Sequence, residues 1–294
     1  MKRFANAKIF AVACAISAAW LVLDASAQPA VVEAVQYPAW LERGGRAVPL
    51  TPGTPLQDQD KLRTGSNARV LLKMGEGSAV KLGEKAEFVI DRSENRGVFR
   101  ATLAVLTGAF RYTTEALAKH RGRDITIRVK NVTAGIRGTD LWGKSGDARD
   151  LVCLLEGKIS VGAEGHPTVT LDRPLDFYQK AGDAPPEVSR VDAHQVEEWA
   201  RETEISDEGP AARTGGRWRV IAAHFEERDS ALALVRRLRG AGYPAELLGP
   251  VKGVYAVAVS NVAGEPQARA LMANLRTVDG VTIPSISEMP AKGR

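Results

Sequence analysis

ITIRVKNVTAGIRGTDLWGKSGDARDLVCLLEGKISV, residues 125–161, is written in short apolar runs separated by Gly, Asn and Asp. Ile125, Ile127 and Val129 alternate with Thr126 and Arg128, the period-two spacing that sends successive side chains to opposite faces of a strand. Leu151 to Leu155 and Lys158-Ile159-Ser160-Val161 are two further runs, and the Glu156-Gly157 pair between them supplies the positive backbone angle of a tight turn. The same grammar extends outward in both directions, from Val31 to about Pro186. Toward the N-terminus it gives Val70-Leu71-Leu72-Lys73, Ala79-Val80-Lys81-Leu82, Glu87-Phe88-Val89-Ile90, Thr102 to Leu106 and Ala109-Phe110-Arg111-Tyr112, with Gly75-Glu76-Gly77 and Gly83-Glu84 as turns. Toward the C-terminus comes Thr168-Val169-Thr170-Leu171. No helical period interrupts these runs, so residues 28–190 are expected to fold as an all-β domain.

The pattern then changes. Val191 to Ile205 sets Val191, Val196, Trp199 and Ala200 among Glu, Gln and Arg behind Asp192, a residue suited to cap a helix, so a short helix over 191–205 should close the domain. Ser206 to Gly216 carries Asp207-Glu208-Gly209-Pro210 and Gly215-Gly216 and reads as a linker open to protease. A second domain follows over 217–287, with 288–294 as a tail. Its order is strand Trp218 to Phe225, helix Asp229 to Ala241, strands Ala245 to Leu248 and Val254 to Ser260, helix Glu265 to Val278 and strand Val281 to Ile286. Ala231, Leu234, Val235 and Leu238 fall at i, i+3, i+4 and i+7, as do Ala268, Leu271, Met272 and Leu275, so each helix presents one apolar face. The βαββαβ order is the α+β ferredoxin-like arrangement, a four-stranded antiparallel sheet with two helices on one face. The chain is therefore expected as two domains with separate cores.

Residues 1–27 have three zones: Lys2, Arg3 and Lys8, an apolar stretch from Ile9 to Leu23, and Ala25-Ser26-Ala27 before Gln28. That is the layout of a removable export signal, and cleavage after Ala27 is expected. The apolar stretch is shorter than the roughly twenty residues that span a bilayer, so no transmembrane span is expected in the mature chain, which would lie in the periplasm. Losing Lys2, Arg3 and Lys8 together with Asp24 takes the formal charge of +5 down to +3, spread over scattered Lys and Arg. A bias of that size reads as a solvated basic surface, and no nucleic-acid partner is expected. Cys14 lies inside the signal, which leaves Cys153 alone in the mature chain. It can make no intramolecular disulfide, and within Leu151-Val152-Cys153-Leu154-Leu155 it reads as a buried strand position. His120, His166, His194 and His224 are scattered, without His-Glu-x-x-His or paired-cysteine spacing, and neither a phosphate loop nor a nucleophile elbow is present. No metal, no other cofactor and no enzymatic activity is expected.

Asp60-Lys61-Leu62-Arg63-Thr64-Gly65-Ser66-Asn67-Ala68, Gly77 to Leu82, Leu106-Thr107-Gly108-Ala109-Phe110, Ala134-Gly135-Ile136-Arg137-Gly138-Thr139-Asp140 and Leu155 to Val161 follow in a characteristic order and spacing. By them the first domain resembles the FecR family over most of Val31 to Gly182. The resemblance implies stacked short strands, β-solenoid-like or rolled, used for contact with protein or polymer. Within the motif, Gly138 should let the chain turn where a side chain cannot fit, Arg137 offers a fork of donors, and Thr139 a hydroxyl to close the turn. FecR regulators carry a sigma-factor-binding segment and a membrane span ahead of this domain. Here about eight residues precede the apolar stretch, too few to fold, so a transmembrane regulator is not expected.

Trp218-Arg219-Val220-Ile221-Ala222-Ala223-His224-Phe225, Leu238-Arg239-Gly240-Ala241-Gly242-Tyr243 and Val254-Tyr255-Ala256-Val257-Ala258-Val259 make the second domain, over about Arg217 to Ser287, similar to SPOR domains. The resemblance implies binding of peptidoglycan glycan strands that have lost their stem peptides. The family's first strand has Gln and then Gly-Ser before the Phe, where this chain has Ile221 and Ala223-His224. Its later strand has Arg after Tyr and a Gly-Pro-Phe-like end, where this chain has Ala256 and Ser260-Asn261-Val262. A glycan would therefore lie on a smooth floor of Ile221, Ala256 and Ala258 and draw its hydrogen bonds from a rim of Arg219, His224, Ser260 and Asn261. Trp218 and Tyr255 fall on the opposite register and should face the helices. The expected role is an exported envelope adaptor that binds glycan through the second domain and protein or glycan through the first. The alternative is a signalling or scaffold subunit in which both domains bind an envelope protein partner.

Overall fold

The computed structural model describes residues 28–95, 98–114, 122–136 and 138–290. The expected export signal, Arg137 and the last residues of the tail, 291–294, lie outside them.

The alternating runs of the first half become strands of two sheets. One orders Ala30–Gln36, Arg69–Met74, Ala79–Leu82, the end of Phe99–Thr113, Asp140–Ser145, Asp150–Glu156, Asp176–Lys180 and Glu187–Arg190, every pair antiparallel. The other orders Arg46–Pro49, Ala39–Arg43, Lys61–Thr64, Glu87–Asn95, the start of Phe99–Thr113, Arg123–Val129, Val132–Ile136, Ile159–Ala163 and Val169–Leu171. Phe99–Thr113 belongs to both, so the domain is of the rolled kind. Leu72, Leu82, Phe110, Leu141 and Val152 of the first sheet and Phe88, Leu103, Ile127, Ile136 and Val161 of the second are buried in one core.

The FecR-like strings are the corners of this roll. Phe99–Thr113 passes from one sheet to the other at Gly108, whose φ is +87° and where a Cβ would stand 2.5 Å from the Ala86 Cα. Val132–Ile136 and Asp140–Ser145 lie in different sheets, so the turn through Gly138 and Thr139 is the next crossing. Asp150–Glu156 and Ile159–Ala163 cross back through Gly157, φ +92°. The last two corners touch: a Cβ on Gly157 would lie 2.9 Å from the Thr139 Cγ2 and 3.0 Å from the Gly138 carbonyl oxygen.

The closing helix, Ala193–Thr203, has Asp192 as its cap, whose carboxylate accepts from the His194 amide at 2.8 Å. Trp199 stacks on the buried Trp142, rings 4.7 Å apart and 5° from parallel, with Phe177 edge-on. Lys144 to Glu202, 2.7 Å, and Lys81 to Glu204, 2.5 Å, tie the helix end to the sheet.

In the second half the strand order is Ser285–Glu288, Trp218–Phe225, Val254–Val262 and Glu246–Val251, all antiparallel. Helices Arg228–Gly240 and Glu265–Leu275 bury Ala231, Leu234, Val235 and Leu238, and Ala268, Leu271 and Leu275, against one face. This is the expected βαββαβ sheet, with one displaced element. The last strand, expected over Val281 to Ile286, starts at Ser285 and runs into the expected tail. Ile283 is 93% exposed with φ +46°, and Pro284 has no amide to donate, so the chain cannot enter the ladder earlier.

Ser206 to Gly216 differs most from its reading as a linker. Ala211–Arg213 is a strand that pairs with Ala30–Gln36 on one side and, through Ala212, with Val262 on the other. Pro210, Ala211 and Ala212 are buried. The amide of Ser206 donates to Gln36 Oε1 at 3.0 Å, and Gly209 packs against that same glutamine. A strand of three residues is too short for an alternation to reveal; its hydrogen bonds come from sheet edges supplied by both domains.

Candidate functional site

On the first strand of the second domain, Val220 and Ala222 point to the helices, and the pairing slips by one residue between Ile221 and Ala223. Val220, Ala222 and Ala223 are consequently all buried, while Arg219, Ile221 and His224 remain on the helix-free face. Cross-strand partners on that face are Ile221 with Ala258, His224 with Ala256, Ala258 with Glu246 and Ala256 with Leu248. Trp218 and Tyr255 pack against the core on the other side, as the register requires.

The face carries an apolar floor and a polar row. Ile221, Ala256 and Leu248 are partly exposed. Ala258, expected as part of the floor, is 0% exposed: it sits between the larger Ile221 and Glu246 and has no surface to offer a ligand. Beside the floor, Arg219 Nε donates to Ser260 Oγ at 3.0 Å, and the Ser260 hydroxyl in turn binds the Glu246 carboxylate. Three adjacent strands thus contribute one hydrogen-bonded row, in which the positive and negative ends offset each other. His224 and Asn261 are exposed; Asn261 has φ +60°, and its carbonyl packs against Gly216.

Glu246 was not among the residues expected from sequence. It lies in an expected strand, after the buried Ala245, but its place beside Ser260 depends on the register between two strands.

The FecR-type turn needs correction at two of its three residues, and Arg137 lies outside the described residues. Gly138 has φ +78°, yet a Cβ there would meet nothing within 4 Å, so backbone angle and not lack of space is what favours glycine. The Thr139 hydroxyl is buried and has no hydrogen-bond partner among the described residues. Thr139 is held through its main chain instead: Thr114 N donates to the Thr139 carbonyl at 3.1 Å, and Thr139 N donates to the Thr114 side-chain hydroxyl at 3.3 Å. Among the described residues no three His, Cys, Asp or Glu cluster as metal ligands would.

Residues 60–160 match the family model for FecR protein and residues 214–283 that for the SPOR domain; the chain carries these two segments in that order. A comparison with curated proteins finds no match. Among solved structures, two crystal structures of a proposed anti-sigma factor from Parabacteroides distasonis ATCC 8503 are similar. The first is 13% identical with a TM-score of 0.41, over 48% of this chain and 63% of that one, under two thirds of its length. The second is 10% identical with a TM-score of 0.41, over 65% of this chain and 95% of that one.

Proposed function

We propose that this chain, a FecR segment followed by a SPOR domain, is an exported, non-enzymatic envelope adaptor that holds denuded peptidoglycan glycan on the helix-free face of its second sheet. A SPOR domain implies peptidoglycan binding, and both segments are typical of envelope proteins. No helix among the described residues is long and apolar enough to cross a membrane.

The observation that supports the reading is the Arg219–Ser260–Glu246 row beside the floor of Ile221, Ala256 and Leu248. A hexosamine chain presents flat C–H faces and edges of hydroxyl and acetamide groups. The floor suits the faces, and the row supplies both donors and acceptors for the edges. An amidase leaves a lactyl carboxylate on every second sugar of the strand, and the Arg219 guanidinium at one end of the row supplies the cation to meet it. Stem peptides would obstruct the approach of sugar rings to a flat sheet. The FecR segment then contacts a second protein or more glycan.

Co-sedimentation of the mature protein with purified sacculi, before and after an amidase strips the stems, tests the reading. Binding should rise on stripped walls, and a wall suspension should not clear. Equal binding to both, or none, transfers the role to the alternative in which both domains bind protein.

A further inference from the structure

The core of the roll closes without a residue from the helix Ala193–Thr203. On the strand Asp150–Glu156, Val152 and Leu154 belong to that core, whereas Leu151, Cys153 and Leu155 alternate with them and face outward. Register sets Cys153 opposite Trp142 on one neighbouring strand and Phe177 on the other, so the three form one outward row. Trp199 of the helix, stacked on Trp142 and edge-on to Phe177, spans the cysteine between them and leaves it 0% exposed.

Little else holds the helix down. Ala109, Trp142 and Leu151 are an apolar cluster apart from the core, and of the helix only Thr203 is buried. The remaining hold is ionic: Lys144 to Glu202, and Lys81 and Arg111 to Glu204. Such part-exposed pairs are individually weak. The docking also leaves the Trp142 indole N–H buried with no hydrogen-bond partner among the described residues, a defect in the fit. The face beneath thus has a readable complement: an aromatic slot bordered by three cations, which takes a helix end carrying an aromatic residue followed by carboxylates.

We propose that this outward face is a protein-docking site, occupied by the chain's own helix until a partner displaces it, and that the partner presents an amphipathic helix with an aromatic anchor followed by acidic residues. This rests on the part of the reading above in which the FecR segment contacts a protein. The charge complementarity with Lys81, Arg111 and Lys144 defines the partner, and Cys153 reports the exchange, because its thiol is reached only when the helix lifts.

The test uses the full mature protein and, as probe, a fluorescent peptide of residues 191–205. Trp199→Ala removes the anchor without touching the core of the roll. Cys153 should then react with a thiol reagent roughly tenfold faster than in wild type, and the peptide should bind saturably and roughly tenfold more tightly, since the tethered helix no longer competes well. Adding Lys144→Glu should abolish that binding. Glu204→Lys, a milder change at an exposed position, should raise Cys153 reactivity in the same direction. Folded variants whose Cys153 stays unreactive, or that take no peptide, overturn the proposal. Wild-type protein that is dimeric by light scattering while Trp199→Ala is monomeric would give the face to a second copy and overturn the partner. Sacculus binding by the same variants should be unchanged. Its loss would make the helix a support of the fold and overturn the proposal equally, while wild type that binds no sacculi ends the glycan reading alone.

Discussion

Arg219 and Trp218 are sequence neighbours with opposite duties. Arg219 is half-buried at the end of the polar row, and Arg219→Ala should cost sacculus binding about 1 to 2 kcal/mol with the melting temperature almost unchanged. Trp218 packs on the helix side, and Trp218→Ala should instead lower fold stability by about 3 kcal/mol, measured by denaturant titration. Cys153 makes a third residue-scale prediction. It is fully buried, which pushes its thiol up to about 12, whereas an unfolded thiol titrates near about 8.5. Its contribution is complete below that lower value. As pH rises toward the folded value the unfolded chain releases a proton that the native state keeps, so stability falls. Between about pH 8.5 and 10, before tyrosines titrate, the loss should approach roughly 2 kcal/mol, seen as a falling urea midpoint that Cys153→Ala flattens. Native protein should resist thiol reagents over the same range.

At the scale of elements, the corners of the roll distinguish two kinds of glycine. Gly138 and Gly108 both have positive φ, but only Gly108 also lacks room for a Cβ, which would press on the Ala86 backbone. Gly138→Ala should therefore cost about 1 kcal/mol, the backbone penalty alone. Gly108→Ala adds overpacking against main chain and should cost roughly 2 to 4 kcal/mol. Denaturant midpoints of the two variants check the difference. The FecR-like string was legible as a turn because Gly and Thr between apolar runs have few other uses. That the turn joins two different sheets was not legible, since alternation reports which face a side chain takes and not which sheet its strand enters.

For the whole molecule, Ala211–Arg213 makes one hydrogen-bonded sheet run from the FecR side into the SPOR side. Mild proteolysis should spare residues 210–213, and calorimetry of the mature protein should give a single transition. Ala212 is 0% exposed at the junction of both pairings. Ala212→Asp would bury an unpaired carboxylate there, and should split the melt into two transitions and open the segment to protease. Two transitions already in the wild type would mean that the junction adds little coupling.

The sequence by itself determined everything that repeats locally. Period-two runs with glycine turns specified the β domain, Asp192 the start of the closing helix, and the i, i+3, i+4, i+7 spacing the two helices with their buried faces, because each follows from the geometry of a few consecutive residues. The parity of Trp218 and Arg219 likewise assigned them to opposite faces. Tertiary structure alone decided what depends on chain segments meeting. The slip at Ala222 buries Ala222 and Ala223 in succession, and Ala258, paired with Ile221 on one side and Glu246 on the other, has no exposed surface. Glu246 reaches Ser260 only in the register of two strands. A three-residue strand inside an apparent linker has no period to read; its order comes wholly from the two sheet edges it completes, which are remote in sequence and adjacent only after folding.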